Sequence, residues 1–134
     1  MQIRSRIFRA PMSIAYRMMF RRCRNRYGIE IPYSVRLGRR VVVEHQGGIV
    51  VHGSAMIGDD CIIRQNCTLG IRHLDALQDA PILGRNVQLG AGAVVLGKVV
   101  LGDNATVGAN AVVLTDVPAG ALAIGVPALI KLRN

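Results

Sequence analysis

From Leu83 onward the chain divides into sixes, LGRNVQ, LGAGAV, VLGKVV, LGDNAT, VGANAV and VLTDVP, a period that neither a helix nor one long strand keeps. The first position of each six is Leu83, Leu89, Val95, Leu101, Val107 or Val113. The fifth is Val87, Ala93, Val99, Ala105, Ala111 or Val117, so all twelve are aliphatic or small. The same grid runs through Ile31, Leu37 and Val43, then resumes two residues late at Val51, Ile57, Ile63 and Leu69.

A six-residue period fits a short strand, a corner and another short strand. The aliphatic residue points inward, and a small residue sits beside it at the turn. Three such faces close a triangular coil of about 18 residues, and successive coils stack as parallel strands about 4.8 Å apart. The expected fold is an all-β parallel β-helix of hexapeptide repeats over residues 30–134, with about four coils. Ile, Val, Leu and Ala must fill its core, because the chain has no Trp and only three Tyr and two Phe.

Regular coils need no insertions, so each break in the period is a candidate site. The first adds two residues after Val43, around His45 to Val50, in VVVEHQGGIVVHG. The second replaces one six with the fourteen residues 69–82, LGIRHLDALQDAPI, and predicts an excursion loop near 70–82. Glu30 ends the face before Ile31, at the corner one coil below the first break, so Glu30 and His45 are expected to be neighbours. A carboxylate beside an imidazole fixes its tautomer and raises its basicity, which makes a working general base. The plain alternative is a surface histidine at a glycine-softened corner. The coincidence of period break, carboxylate and flanking glycines favours the base. His52 takes a corner position usual for glycine and either supports the site from outside or is inert. His73, in the loop, is either a substitute base or a surface residue.

Residues 29–131 resemble the left-handed β-helix acyltransferases, the serine acetyltransferases and sugar O-acetyltransferases among them. VGANAVVLTDVPAGALAIGVPALI, 107–130, is similar to their C-terminal pattern. GIEIPYSVRLGRRVVVEHQGGIVVHG, 28–53, resembles the segment in which an acid–histidine pair activates the acceptor hydroxyl. The resemblance implies the left hand of the helix, His45 as base, Glu30 orienting it, and Glu44 touching the acceptor. It also implies acetyl-CoA as co-substrate and a homotrimer, with the pantetheine arm in a groove between adjacent subunits. Small corner residues, Ala91, Ala109 and Thr115, would admit that arm, with Lys131 near its phosphates. Corner packing is the other explanation of the alanines.

The sequence departs from the serine acetyltransferase pattern at several positions. The long loop of those enzymes carries a second histidine directly before its proline, where this chain has Ala80 before Pro81. Glu30 and Glu44 stand where aspartates are usual, the large N-terminal helical domain is missing, and the chain ends in Asn134 rather than an isoleucine tail. These departures point toward the acetyltransferases of capsule and exopolysaccharide pathways, acting on a sugar hydroxyl of a small-molecule or lipid-linked glycan. L-Serine is the alternative acceptor. A non-catalytic β-helix scaffold is the alternative outside catalysis.

Charge separates the ends of the chain. The net charge is +9, and residues 1–29 hold eight arginines and no acidic residue. A basic helix is expected there, from about Pro11, either capping the open bottom of the β-helix or contacting an anionic membrane surface, two roles that are compatible. The Arg-rich start also has some character of a transit peptide, though Ser is scarce. Few aromatic residues are available for stacking, which argues against nucleic acid. The three cysteines, Cys23, Cys61 and Cys67, lack paired spacing and read as reduced thiols of a cytoplasmic protein, peripheral at the inner membrane surface if the basic segment binds there. Histidines spaced seven and twenty-one apart offer no convergent zinc set, so no metal is expected.

Overall fold

Each corner interrupts the chain after two or three extended residues, and the strands of the coils pair with strands of adjacent coils rather than with their sequence neighbours. The structure, a computed structural model, describes residues 6–133. The first five residues of the expected basic segment 1–29 lie outside the described residues. Helix α1 (Arg6–Tyr27) leads into a first coil of β1 (Ile29–Glu30), β2 (Arg36–Leu37) and β3 (Val42–Glu44). The second coil is β4 (Ile49–Val51), β5 (Met56–Ile57) and β6 (Ile62–Arg64), and the third is β7 (Thr68–Gly70), β8 (Ile82–Leu83) and β9 (Gln88–Leu89). The fourth is β10 (Val94–Leu96), β11 (Val100–Leu101) and β12 (Thr106–Val107). The fifth runs from β13 (Val112–Val113) through a bridge at Val117 to β14 (Leu122–Ile124), and β15 (Leu129–Lys131) turns back antiparallel on β14.

Three parallel faces result: β1-β4-β7-β10-β13, then β2-β5-β8-β11, then β3-β6-β9-β12-β14. The coils number five rather than about four, and the reason lies in the register. Val95 pairs with Val113, eighteen residues on, but Leu101 pairs with Val117, only sixteen on. The last coil is short by two residues between these positions. A grid of strict sixes therefore loses step after Val113 and misses the closing faces at Val117 and Ala123.

The twelve inward positions from Leu83 to Val117 are all buried, as are Val51, Ile57, Ile63 and Leu69. No polar or charged side chain is buried among the described residues, so the interior is a dry aliphatic column and polar chemistry is confined to the edges. The column thins at its lower end. Leu37 and Val43 point inward in register with Ile57 and Ile63, yet Leu37 is 52% exposed and Val43 37%. Helix α1 packs against β1, with Tyr16 edge-on to the ring of Tyr33, and it leaves that open end unsealed.

Candidate functional site

The three faces meet along three edges, and both insertions fall on edges. The edge from the third face to the first stacks the corners 45–48, 65–67, 90–93 and 108–111. Backbone rungs join them: Asn66 N–H donates to the Gly47 carbonyl at 2.8 Å, Gly92 N–H to Gln65 at 2.9 Å, and Asn110 N–H to Ala91 at 2.8 Å. Glu44 pairs with Arg64 and Val50 with Thr68, so the lower corner spans two residues more than the one above it. That surplus is where His45 sits.

His45 is exposed, with φ of 57°, a left-handed conformation that glycine takes freely and histidine only at some cost. Gly47 and Gly48 also have positive φ, which lets the inserted residues swing outward. The tip is free, since nothing stands within 4 Å of where a Cβ on Gly47 would be. The base is tight, since a Cβ on Gly48 would strike the Asn66 side chain. A rigid corner below and above thus holds a short bulge carrying one imidazole.

Glu44 ends β3 and makes an ion pair with Arg64 at 2.9 Å, directly beside His45. Glu30 holds the register that the grid gives it when Ile31 is set level with Val51. It lies in β1 and pairs with Val50, while Gly28 occupies the level beneath the bulge, where an added Cβ would come within 3.0 Å of the Gly48 nitrogen. The two extra residues precede β4, and Glu30 stands on the strand just after the corner, two residues past Gly28. Among the described residues no hydrogen bond or ion pair joins Glu30 to His45.

Further up the same edge stand Ala91, half-buried, and Ala109, exposed. Gln65 belongs to this column too, one coil above His45, and its Oε1 is buried without a hydrogen-bond partner. A buried carbonyl oxygen left unpaired is costly and marks a place where a donor from outside would be welcome. Nothing in the period singles out Gln65. Its only sequence signal is the polar run Arg64-Gln65-Asn66 directly after the core residue Ile63.

The edge from the first face to the second carries the long loop, eight residues longer than the corners above and below it, between Gly70 and Ile82. His73 is exposed and lines a cavity of ≈ 220 Å³ with Arg72, Asp79, Lys98 and Leu114. His52, on the corner below, accepts a hydrogen bond from the Ser54 N–H at Nδ1 (3.3 Å) and borders an open groove of ≈ 560 Å³ with Ser34, Arg36, Ser54 and Gln78. Ala80 and Pro81 are buried, so the residue that replaces a second histidine packs into the column instead of facing a ligand. Thr115 is exposed on this edge, in the shortened corner. Lys131 lies opposite Leu122 in β15, on the third face.

The structure therefore groups His45, Glu44, Ala91 and Ala109 on one edge. It separates them from His73 and Thr115 by the width of the first face. The cysteines take no part, since the Cys61 and Cys67 thiols donate to the Gly84 and Gly90 carbonyls at 3.2 and 3.1 Å and burial pushes both thiols up. An exposed imidazole on a short bulge, with Gln65 one coil above it and the small residues Ala91 and Ala109 on the next two, suits a base that meets a ligand lying along the edge.

The family described as "Bacterial transferase hexapeptide (six repeats)" matches residues 80–115. A serine acetyltransferase of Synechocystis sp. is 43% identical over 122 residues, covering 91% of this chain and 49% of that protein. WcaB of Escherichia coli (strain K12), whose name assigns it to colanic acid biosynthesis as an acetyltransferase, is 36% identical over 94% of this chain and 75% of its own length. Among solved structures, serine acetyltransferase from Vibrio cholerae O1 superposes with a TM-score of 0.85 at 30% identity, covering 96% of this chain and 50% of that one. A serine acetyltransferase solved in complex with CoA gives a TM-score of 0.80 at 34% identity, over 89% and 48%. The chain spans about half the length of the serine acetyltransferases it matches. The fold is that of the left-handed β-helix serine acetyltransferases.

Proposed function

Because the chain belongs to the hexapeptide-repeat acetyltransferases of the serine acetyltransferase and WcaB type, we propose that it transfers an acetyl group from acetyl-CoA to a sugar hydroxyl in polysaccharide biosynthesis, with His45 as general base. The observation that carries this reading is the two-residue bulge that exposes His45 on an edge otherwise built of tight rungs.

A sugar hydroxyl has a pKa far above neutrality and attacks poorly until a base removes its proton. His45 takes that proton as the hydroxyl oxygen bonds to the thioester carbonyl carbon. The carbonyl oxygen becomes an oxyanion, which a backbone N–H of the corner stabilises. The intermediate then collapses, the carbon–sulfur bond breaks, and the imidazolium returns its proton to the departing thiolate. The products are an acetyl ester and CoA. Glu44, held by Arg64, stands beside the acceptor, and Glu30 orients the imidazole once substrate tightens the site.

Ala91 and Ala109 keep the edge above His45 low, which suits the pantetheine arm, and Gln65 Oε1 offers an acceptor to an amide N–H in it. His73 and Thr115 fit the same reaction only across a seam between two copies, where one copy's His45 edge faces the next copy's loop edge. A homotrimer supplies three such seams. Lys131 is assigned to the CoA phosphates in that assembly, and the acceptor is a glycan, free or lipid-linked, at the cytoplasmic side.

The acetylation of L-serine is a second reading, favoured by the 43% identity to the Synechocystis serine acetyltransferase. Against it stands Ala80, buried where a second histidine would be needed. Free-thiol release from acetyl-CoA against L-serine, simple hexoses, amino sugars and a polysaccharide extract separates the two. Turnover with a glycan supports the main reading, turnover with serine alone replaces it, and no acetyl-CoA binding at all leaves a scaffold.

A further inference from the structure

Helix α1 carries two apolar stripes, and among the described residues only one of them has a partner. Tyr16, Phe20, Cys23 and Tyr27 recur at spacings of four, three and four, which places them on one face. That face meets the body: Tyr16 stacks on Phe20 and packs edge-on to Tyr33, and the Tyr33 N–H donates to the Tyr16 hydroxyl at 3.3 Å. Within residues 9–27 only Phe20 and Cys23 are half-buried, while Tyr16 and Tyr27 on the same face are 37% and 42% exposed.

At about 100° per residue, Pro11, Ile14 and Met18 fall roughly half a turn away from that face. Ile14 is 59% exposed and Met18 67%. Arg17 and Arg21 flank this outer stripe on one side and Arg22 and Arg26 on the other, and no acidic residue occurs anywhere in residues 1–29. Large apolar side chains held in water between two rows of arginines are a costly arrangement for a helix with nothing to meet. The arrangement suits an anionic bilayer surface: the apolar stripe sinks among the acyl chains, and the arginines reach back to the headgroups. A second copy of the chain fits the charge badly, since it would set arginines against arginines.

We propose that the outer face of α1, centred on Ile14, Met18, Arg21 and Arg22, is a docking surface for an anionic membrane. The helix lies in the interfacial plane and holds the β-helix against it. No described helix is long and apolar enough to cross a bilayer, so the contact is lateral. The attachment goes beyond the acetyl transfer and stands or falls without it, because the outer stripe lies on a different element from His45.

The full chain is co-sedimented with vesicles of phosphatidylcholine alone and with vesicles half phosphatidylglycerol. Two double variants are run beside it, Ile14→Gln with Met18→Gln and Arg21→Gln with Arg22→Gln, and circular dichroism reads the helix content of each. Leu74→Gln, an exposed apolar residue of the long loop, is the control. Partition to the anionic vesicles is expected to exceed that to the neutral ones by about tenfold or more, to fall about tenfold in each double variant, and to be unchanged in the control. Equal partition to both vesicles overturns the proposal. So does binding that the Ile14 and Met18 substitutions leave intact, which would be the charge attraction any polyanion exerts. Concentration-dependent self-association without lipid, abolished by those same substitutions, overturns it in favour of a second copy on this face. If a double variant loses helix, Met18→Gln alone decides by the same criteria.

Discussion

Two edges of one prism, built from the same repeat, differ in a single respect. On the edge between the second and third faces every corner has the same length: Leu37 to Val42, Ile57 to Ile62, Leu83 to Gln88, Leu101 to Thr106 and Val117 to Leu122 are each five residues apart. Each of its corners is committed to the next. Asp60 N–H donates to Arg39, Asn86 to Asp59, Asn104 to Arg85 and Gly120 to Asp103, and the side chains continue the ladder as Arg40 with Asp60 and Asn86 with Asn104. This edge has no histidine. The His45 edge uses the same rungs but holds two residues that no rung requires, and those residues carry the imidazole. A corner of fixed length consumes its side chains in holding the stack. Only surplus length frees a side chain to meet a ligand.

The sharpest way to break this contrast is to remove the surplus. Shortening the corner by Gln46 and Gly47, so that the His45 carbonyl must take over the Asn66 rung, makes the two edges equal, and acetyl transfer is expected to fall by about 100-fold or more, because the base loses its position. The far-ultraviolet circular dichroism should stay that of the intact β-helix; retained activity would show that the bulge is idle.

The column beneath the edges should respond in the opposite way. Leu101→Ala, at a fully buried position, is expected to cost about 2–5 kcal/mol in a urea titration and to spare the activity of each folded molecule. Leu37→Ala, in the corresponding inward position of the unsealed first coil, should cost less than about 1 kcal/mol. Equal costs would mean that something covers the open end.

On the unbroken edge, Asn104→Ala removes the hydrogen bond with Asn86 and puts alanine at φ of 61°. The expected loss is about 1–2 kcal/mol, with unchanged turnover. On the His45 edge, Arg64→Ala should shift stability by no more than about 1 kcal/mol, since its pair with Glu44 is partly exposed. Instead it should change the KM for the acceptor, because Glu44 is released. If stability falls and KM does not move, the pair belongs to the ladder and not to the site.

The period of six made most of this fold legible, since it fixed the inward residues from Val51 to Val117 and located both insertions. It failed where the step changed without an insertion: the shortened corner at Leu114–Asp116 removes two residues, and counting in sixes has no way to see a loss at the end of the series. It also set Glu30 in the register observed, opposite Val50, but did not show that the residue before an inward first position already belongs to the strand rather than the corner, as Ile82 does before Leu83 in β8. Gln65 was invisible for a different reason. Its mark is an unpaired buried oxygen, which only packing creates. The outer stripe of α1 was half legible: the apolar and basic residues were evident, but which stripe faces the body was settled by Tyr33.

The most direct test of the central claim compares wild type with His45→Ala in thiol release from acetyl-CoA with the acceptor that turns over, alongside acetyl-CoA affinity and thermal stability. Loss of the base should lower turnover by about 100- to 10,000-fold while affinity and stability stay at wild-type values. Turnover within about threefold of wild type, well outside the range that loss of a general base produces, would contradict the claim that the repeat is broken to expose this histidine.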